Sequence, residues 1–91
     1  MEIEVEWDEH NWPKCAKHGV SKESIEYVLL HDSQITPDLK KDYGEERHIA
    51  VGQNKNGRYV FIVFCRREEK LRPISAHYMH DKAVKKYLNQ M

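Results

Sequence analysis

At 91 residues the chain has room for one hydrophobic core, and a single domain over residues 1–91 is expected, because a second core would starve the first. Apolar residues at 40% argue against disorder, and charged residues at 33% predict a heavily charged surface around an ordinary core. The longest apolar run, residues 59–65, has seven members against the roughly 20 that a membrane span needs, so a transmembrane helix is excluded.

The first nine residues hold Glu2, Glu4, Glu6, Asp8 and Glu9 and no base, the reverse of a secretory start, and a cytoplasmic protein is expected. Two cysteines, Cys15 and Cys65, are too few for a secreted disulfide scaffold, and both should stay reduced. The zero net charge hides a gradient: residues 66–91 carry seven lysines and arginines against three acids. A basic segment of this kind suits phosphate or an acidic protein surface, or is a solvated helix face.

Residues 2–7 alternate strictly, with Ile3, Val5 and Trp7 on one face and glutamates on the other, as a half-buried strand does. Residues 8–18 read as a short helix with Pro13 in its first turn and Gly19 marking its end. Ser21 is placed to cap a second helix running to about His31, whose Ile25, Val28 and Leu29 share a face. Residues 34–39 suit an edge strand or a loop, since Pro37 bars them from the middle of a sheet.

Residues 46–53 alternate again, and residues 54–57, Asn-Lys-Asn-Gly, supply a tight hairpin into an all-apolar strand at residues 59–65, central in a sheet or lying at an interface. Residues 67–70 turn the chain into a further strand at residues 71–77, where Pro73 limits pairing on one side. The last element, residues 80–90, is an amphipathic helix with Val84, Tyr87, Leu88 and Met91 on one side and Lys82, Lys85 and Lys86 elsewhere around it. The whole predicts an α+β domain: a small antiparallel sheet packed with two N-terminal helices and a C-terminal helix.

No glycine-rich phosphate loop, nucleophile elbow or His-Glu-x-x-His helix is present, so any chemistry uses scattered groups. The strongest constellation is Arg72, Ser75, His77, His80, Lys82 and Lys85, at the passage from the last strand into the closing helix. Cutting RNA without a metal needs a base for the 2′-hydroxyl, an acid for the leaving oxygen and cations for the charge on phosphorus, and these are the residue types for it. His80, at a helix N-terminus, is favoured in its neutral, proton-accepting form. The bland reading makes His80 a helix cap and His77 a solvent-facing strand residue.

A zinc set of Cys15, His18, His77 and His80 has suitable donor types but weak support, and neither metal nor cofactor is expected. Arg47 suits a phosphate clamp or, more simply, an ion pair with a nearby glutamate. Trp7, Trp12 and the apolar strand read as core.

Trp7-Asp8, Lys17-His18-Gly19-Val20, Glu45-Glu46-Arg47, Gly52, Gly57-Arg58, Arg72-Pro73-Ile74-Ser75-Ala76 and Tyr87 together resemble the BrnT family of bacterial toxins, over nearly the whole chain. The resemblance implies a RelE-like fold, a ribonuclease that arrests translation, and a ribbon-helix-helix antitoxin (BrnA-like) whose complex with the toxin binds operator DNA. By match, Arg72, Arg47 and Lys17 carry over as phosphate-binding or catalytic-surface residues and Tyr87 as a packing or site residue. The chain departs from the family at His77, where an arginine is usual, and at Ala83, where a glutamate is usual. Two functions follow: a metal-independent endoribonuclease using His77, His80 and Arg72 with Arg47, Lys17, Lys82 and Lys85 on the phosphates, or an inactive toxin-like module that only pairs with its antitoxin. Nicking of DNA is a third, weaker reading.

Overall fold

The computed structural model describes residues 4–31, 33–37 and 46–90. Glu2, Ile3, residues 38–39, Glu45 and Met91, which entered the sequence reading, lie outside them. The elements run β1 (Glu4–Val5), α1 (Trp12–Ala16), α2 (Lys22–His31), β2 (Gln34–Pro37), β3 (His48–Gln53), β4 (Tyr59–Arg67), β5 (Lys70–Tyr78) and α3 (Asp81–Asn89). Among the described residues they form an α+β arrangement whose five-stranded sheet has the order β1-β5-β4-β3-β2.

The apolar strand β4 is central, paired antiparallel with β3 from Gln53↔Tyr59 to His48↔Phe64 and with β5 from Val60↔Tyr78 to Arg67↔Lys70. Strand β2 lies on the edge, as Pro37 requires. One expectation is corrected: the sheet is mixed. Strand β1 pairs with β5 in parallel, Glu4↔Lys70 and Val5↔Leu71. It is only two residues long, although the alternation that predicts it continues to Trp7. A parallel neighbour at a sheet edge leaves the same alternating side-chain signature as an antiparallel one, so the pattern does not contain strand direction.

The core is a cluster between one face of the sheet and helices α1 and α2. Cys15, Val20, Ile25, Val28 and Leu29 meet Ala50, Val60, Ile62, Phe64 and Ala76 there, with Trp7, Trp12 and Tyr78 packed against it. Helix α2 forms as its caps dictate: Ser21 Oγ accepts the Ser24 amide at 3.1 Å, and Ile25, Val28 and Leu29 present one buried stripe.

The β3–β4 connection is a five-residue loop rather than the tightest hairpin. Only Gly57 adopts a positive φ, +81°. Asn54 organises the loop: its Oδ1 accepts the amides of Asn56 and Arg58, both at 3.0 Å. The β4–β5 turn, by contrast, has just Glu68 and Glu69 between paired Arg67 and Lys70, with Glu68 at φ +56°.

Helix α3 is amphipathic as predicted, yet none of its described residues is buried and Leu88 is 46% exposed. It is held through Tyr87, whose ring lies 6.0 Å from that of Tyr59 and whose hydroxyl donates to Gln34 Oε1 at 2.9 Å. Its apolar side therefore rests on a polar-aromatic seam beside β2 and β4. Among the described residues no helix is long and apolar enough to cross a membrane.

Candidate functional site

The turn that precedes α1 is built by two side chains. Asp8 Oδ1 accepts the amides of His10 and Asn11 at 2.8 and 3.0 Å, and Asn11 Oδ1 accepts the Asp8 amide at 2.7 Å. Asn11 is buried, and its Nδ2 donates to the carbonyls of Glu6 and Pro73, which fastens the turn to β5. Arg72 closes the same joint from the strand. Its Nη1 reaches Glu6 Oε1 at 2.8 Å and Asp8 Oδ2 at 2.6 Å, and its Nη2 reaches Asp8 Oδ1 at 3.1 Å. The guanidinium bonds hold the Asp8 carboxyl far below the usual carboxylate range, and the same bonds raise Arg72 further above its already high value.

Helix α1 packs along β5 from that joint, and its far end carries Lys17 and His18, both exposed. The His18 ring comes within 6.1 Å of the His77 ring, edge to face. His77 also stacks on Phe61, with centroids 5.0 Å apart and 26° between the planes. His77 is an exposed strand residue, as the bland reading has it, yet the partial burial of its ring lowers its pKa, and the neighbouring charges of His18 and His80 lower it further. Three imidazoles thus share one patch. His80 stands at the N-cap of α3 with extended backbone angles and makes no side-chain cap bond, while Asp81 and Lys82 follow in the first turn.

Arg72 is not part of that patch. It lies five residues before His77 on one strand, about 16 Å away at the usual strand rise. It lines instead a cleft of about 140 Å³ with His10, Lys14, Arg47, Cys65 and Arg67. The expected constellation therefore divides in two: His77 and His80 gather with His18, while Arg72 gathers with Arg47. Lys82 and Lys85 are exposed on α3, and Tyr87 joins that helix to β2 and β4.

A family model described as the ribonuclease toxin BrnT of type II toxin–antitoxin systems matches residues 7–83. The chain belongs to the BrnT family. No curated protein and no solved structure matches it. Membership in a type II toxin family implies an antitoxin partner for this BrnT protein.

The zinc set loses its sulfur in this BrnT chain. Cys15 is fully buried in the core, and burial pushes its thiol up to about 11, which opposes the thiolate that zinc binds. Among the described residues there is no group of three or more metal-ligating side chains placed to hold an ion.

Sequence reasoning left His10, Lys14 and Arg67 out of the site, and considered His18 only as a zinc ligand. The first two were legible: His10, Lys14 and Lys17 follow at i, i+4 and i+7, one stripe of a helix. Arg67 carries no such signal, because its place beside Arg47 and Arg72 depends on which strands are neighbours.

Proposed function

We propose that this BrnT protein is a metal-independent endoribonuclease whose proton transfers are made by the imidazoles of His77, His18 and His80. The observation that carries the reading is the 6.1 Å approach of His18 to His77, with the His77 pKa lowered so that a neutral ring is available at neutral pH. His77 takes the proton from a ribose 2′-hydroxyl as the oxygen attacks the adjacent phosphorus. The P–O5′ bond breaks, and His18 or His80 gives a proton to the departing oxygen. The products are a 2′,3′-cyclic phosphate and a 5′-hydroxyl, with no water or metal consumed.

Charge on the phosphoryl oxygens is met by Lys17 beside His18, by Lys82 and Lys85 on α3, and by the free amides at the start of that helix. Histidine in place of the family's usual arginine exchanges an anion clamp for a proton carrier, which fits this mechanism.

The same reading takes the fold as RelE-like and the partner as a ribbon-helix-helix antitoxin, which brings the toxin to operator DNA without direct contact. RNA cleavage in the cytoplasm would arrest translation.

Purified protein incubated with RNA in the presence of a chelator provides the test. Cleavage that ends in cyclic phosphate, is retained with the chelator and is lost in His77→Gln supports the reading. Intact RNA over a wide protein excess, alongside tight antitoxin binding, selects the inactive pairing module. Cleavage of an all-deoxy strand overturns attack by the sugar hydroxyl.

A further inference from the structure

The strand registers place four side chains in one row across the sheet. Gln34 is opposite Val51, Val51 opposite Phe61 and Phe61 opposite His77, so all four share a face. That face is turned away from the core, because Ala50, Val60, Ile62 and Ala76, which alternate with them along the strands, belong to the cluster packed with α1 and α2. The row starts at the histidine patch and ends beside α3. There Gln34, Val51, Gln53, Tyr59, Tyr87 and Leu88 line a cavity of about 210 Å³.

The lining decides what the cavity can hold. Among the described residues no charged side chain borders it, so a phosphate or a carboxylate would meet no counter-charge there. Its volume is below the roughly 300–1,000 Å³ of a pocket for a drug-sized ligand, which leaves room for one ring system. The Tyr59 and Tyr87 rings, 6.0 Å apart and inclined at 60°, make an aromatic corner, and Val51 and Leu88 add apolar surface. Gln34 Oε1 accepts the Tyr87 hydroxyl, so what that amide has to offer is its N–H donors. A flat, uncharged ring with an acceptor on its edge matches these walls. We propose that the cavity is a nucleobase pocket, which takes an unstacked purine of single-stranded RNA beside the bond that His77 attends. The RNA occupant rests on the nuclease reading; the pocket rests on its lining. Val51 lies two strand spacings from His77, about 10 Å, close enough for the nucleotide next to that bond to reach. The base stacks on Tyr59, and Gln34 donates to a ring nitrogen such as N7.

The test measures binding of uncleavable 2′-O-methyl oligouridine strands by fluorescence anisotropy, with adenine, 7-deazaadenine or an abasic site at one central position. The native protein binds the adenine strand about tenfold more tightly than the abasic one, the scale of one base stacked on an aromatic ring, and 7-deazaadenine falls between them. Tyr59→Leu removes most of that preference while its affinity for the abasic strand stays native, which separates stacking from folding, and Tyr59→Phe retains the preference. Gln34→Glu keeps an acceptor for Tyr87 but loses the donors, so it binds adenine and 7-deazaadenine alike. Equal native affinity for the adenine and abasic strands overturns the proposal, as does a preference that Tyr59→Leu leaves intact. An antitoxin whose binding Tyr59→Leu weakens, with no adenine preference in the native protein, assigns the cavity to a protein side chain instead and overturns it too. Should the native protein prefer adenine yet leave cleavable RNA whole, the nuclease reading fails alone and the pocket stands.

Discussion

Arg72 and Asp8 face each other through two hydrogen bonds, Nη1 to Oδ2 at 2.6 Å and Nη2 to Oδ1 at 3.1 Å, and this pair sets where α1 lies. Asp8 uses the oxygen that accepts from Nη2 to gather the amides of His10 and Asn11 as well, so strand, turn and helix are fixed by one carboxylate. Because His18 follows α1 two residues after its last residue, Ala16, the approach of His18 to His77 depends on a joint at the opposite end of the helix.

Arg72→Gln keeps a polar side chain but removes the fork. With the Arg72 side chain only 10% exposed, the loss of charged hydrogen bonds there should lower Tm by about 5–10 °C in a thermal melt. Cleavage should fall as well, through the displaced His18, whereas Lys82→Gln should leave Tm within about 1 °C because that side chain is exposed.

The same pair predicts how stability follows pH. The folded Asp8 carboxyl titrates below its unfolded value, so its contribution is fully present above about 4 and is lost as the pH falls through the strongly acidic range. Urea midpoints should be flat between pH 5 and 7 for the native protein as far as this pair is concerned, and should decline below pH 4. Asp8→Asn should be weaker at neutral pH and show a smaller decline on acidification. Equal acid sensitivity of the two proteins would remove Asp8 from the account.

Much of this architecture is written in local patterns. Pro13 and Gly19 bracket α1, Ser21 caps α2, and seven apolar residues in a row leave β4 either central in the sheet or lying at an interface, of which the strand order shows the first. What local pattern does not contain is adjacency. The parallel partnership of β1 with β5 decides that Glu6 and Asp8 reach Arg72, and no spacing within either segment encodes it. Arg72 consequently reads as a free cation in sequence and is an anchored one in the fold. His77 is the converse case: its strand position is legible, but the lowering of its pKa comes from partial burial and from His18 and His80, which only the fold brings near it.

Backbone geometry gives a further expectation at the two turns. Glu68 holds φ +56°, a region that costs a side-chain-bearing residue about 1 kcal/mol, so Glu68→Gly should raise stability by up to about that amount. Gly57 holds φ +81° with nothing within 4 Å of an added Cβ, so Gly57→Ala should cost about 1 kcal/mol from backbone strain alone. Paired urea titrations check both signs, and a destabilised Glu68→Gly protein would show that the glutamate side chain matters more than its backbone.

The pH dependence of cleavage tests the role given to His77. A base acts only when unprotonated, and burial together with the charges of His18 and His80 lowers the His77 pKa below its ordinary 6.5. The ring is thus already neutral at pH 7, and the acid limb of kcat/KM should bend below 6.5 rather than above it. Phe61→Ala removes the ring stacked on His77 and relieves part of its desolvation, so the acid limb should move upward toward pH 6.5 while the pH-independent plateau changes less. His77→Gln should lower the plateau about 100-fold or more and abolish the limb, since positioned acid–base catalysis contributes on that scale. A limb that survives His77→Gln at the same pH would move the base to His18 or His80.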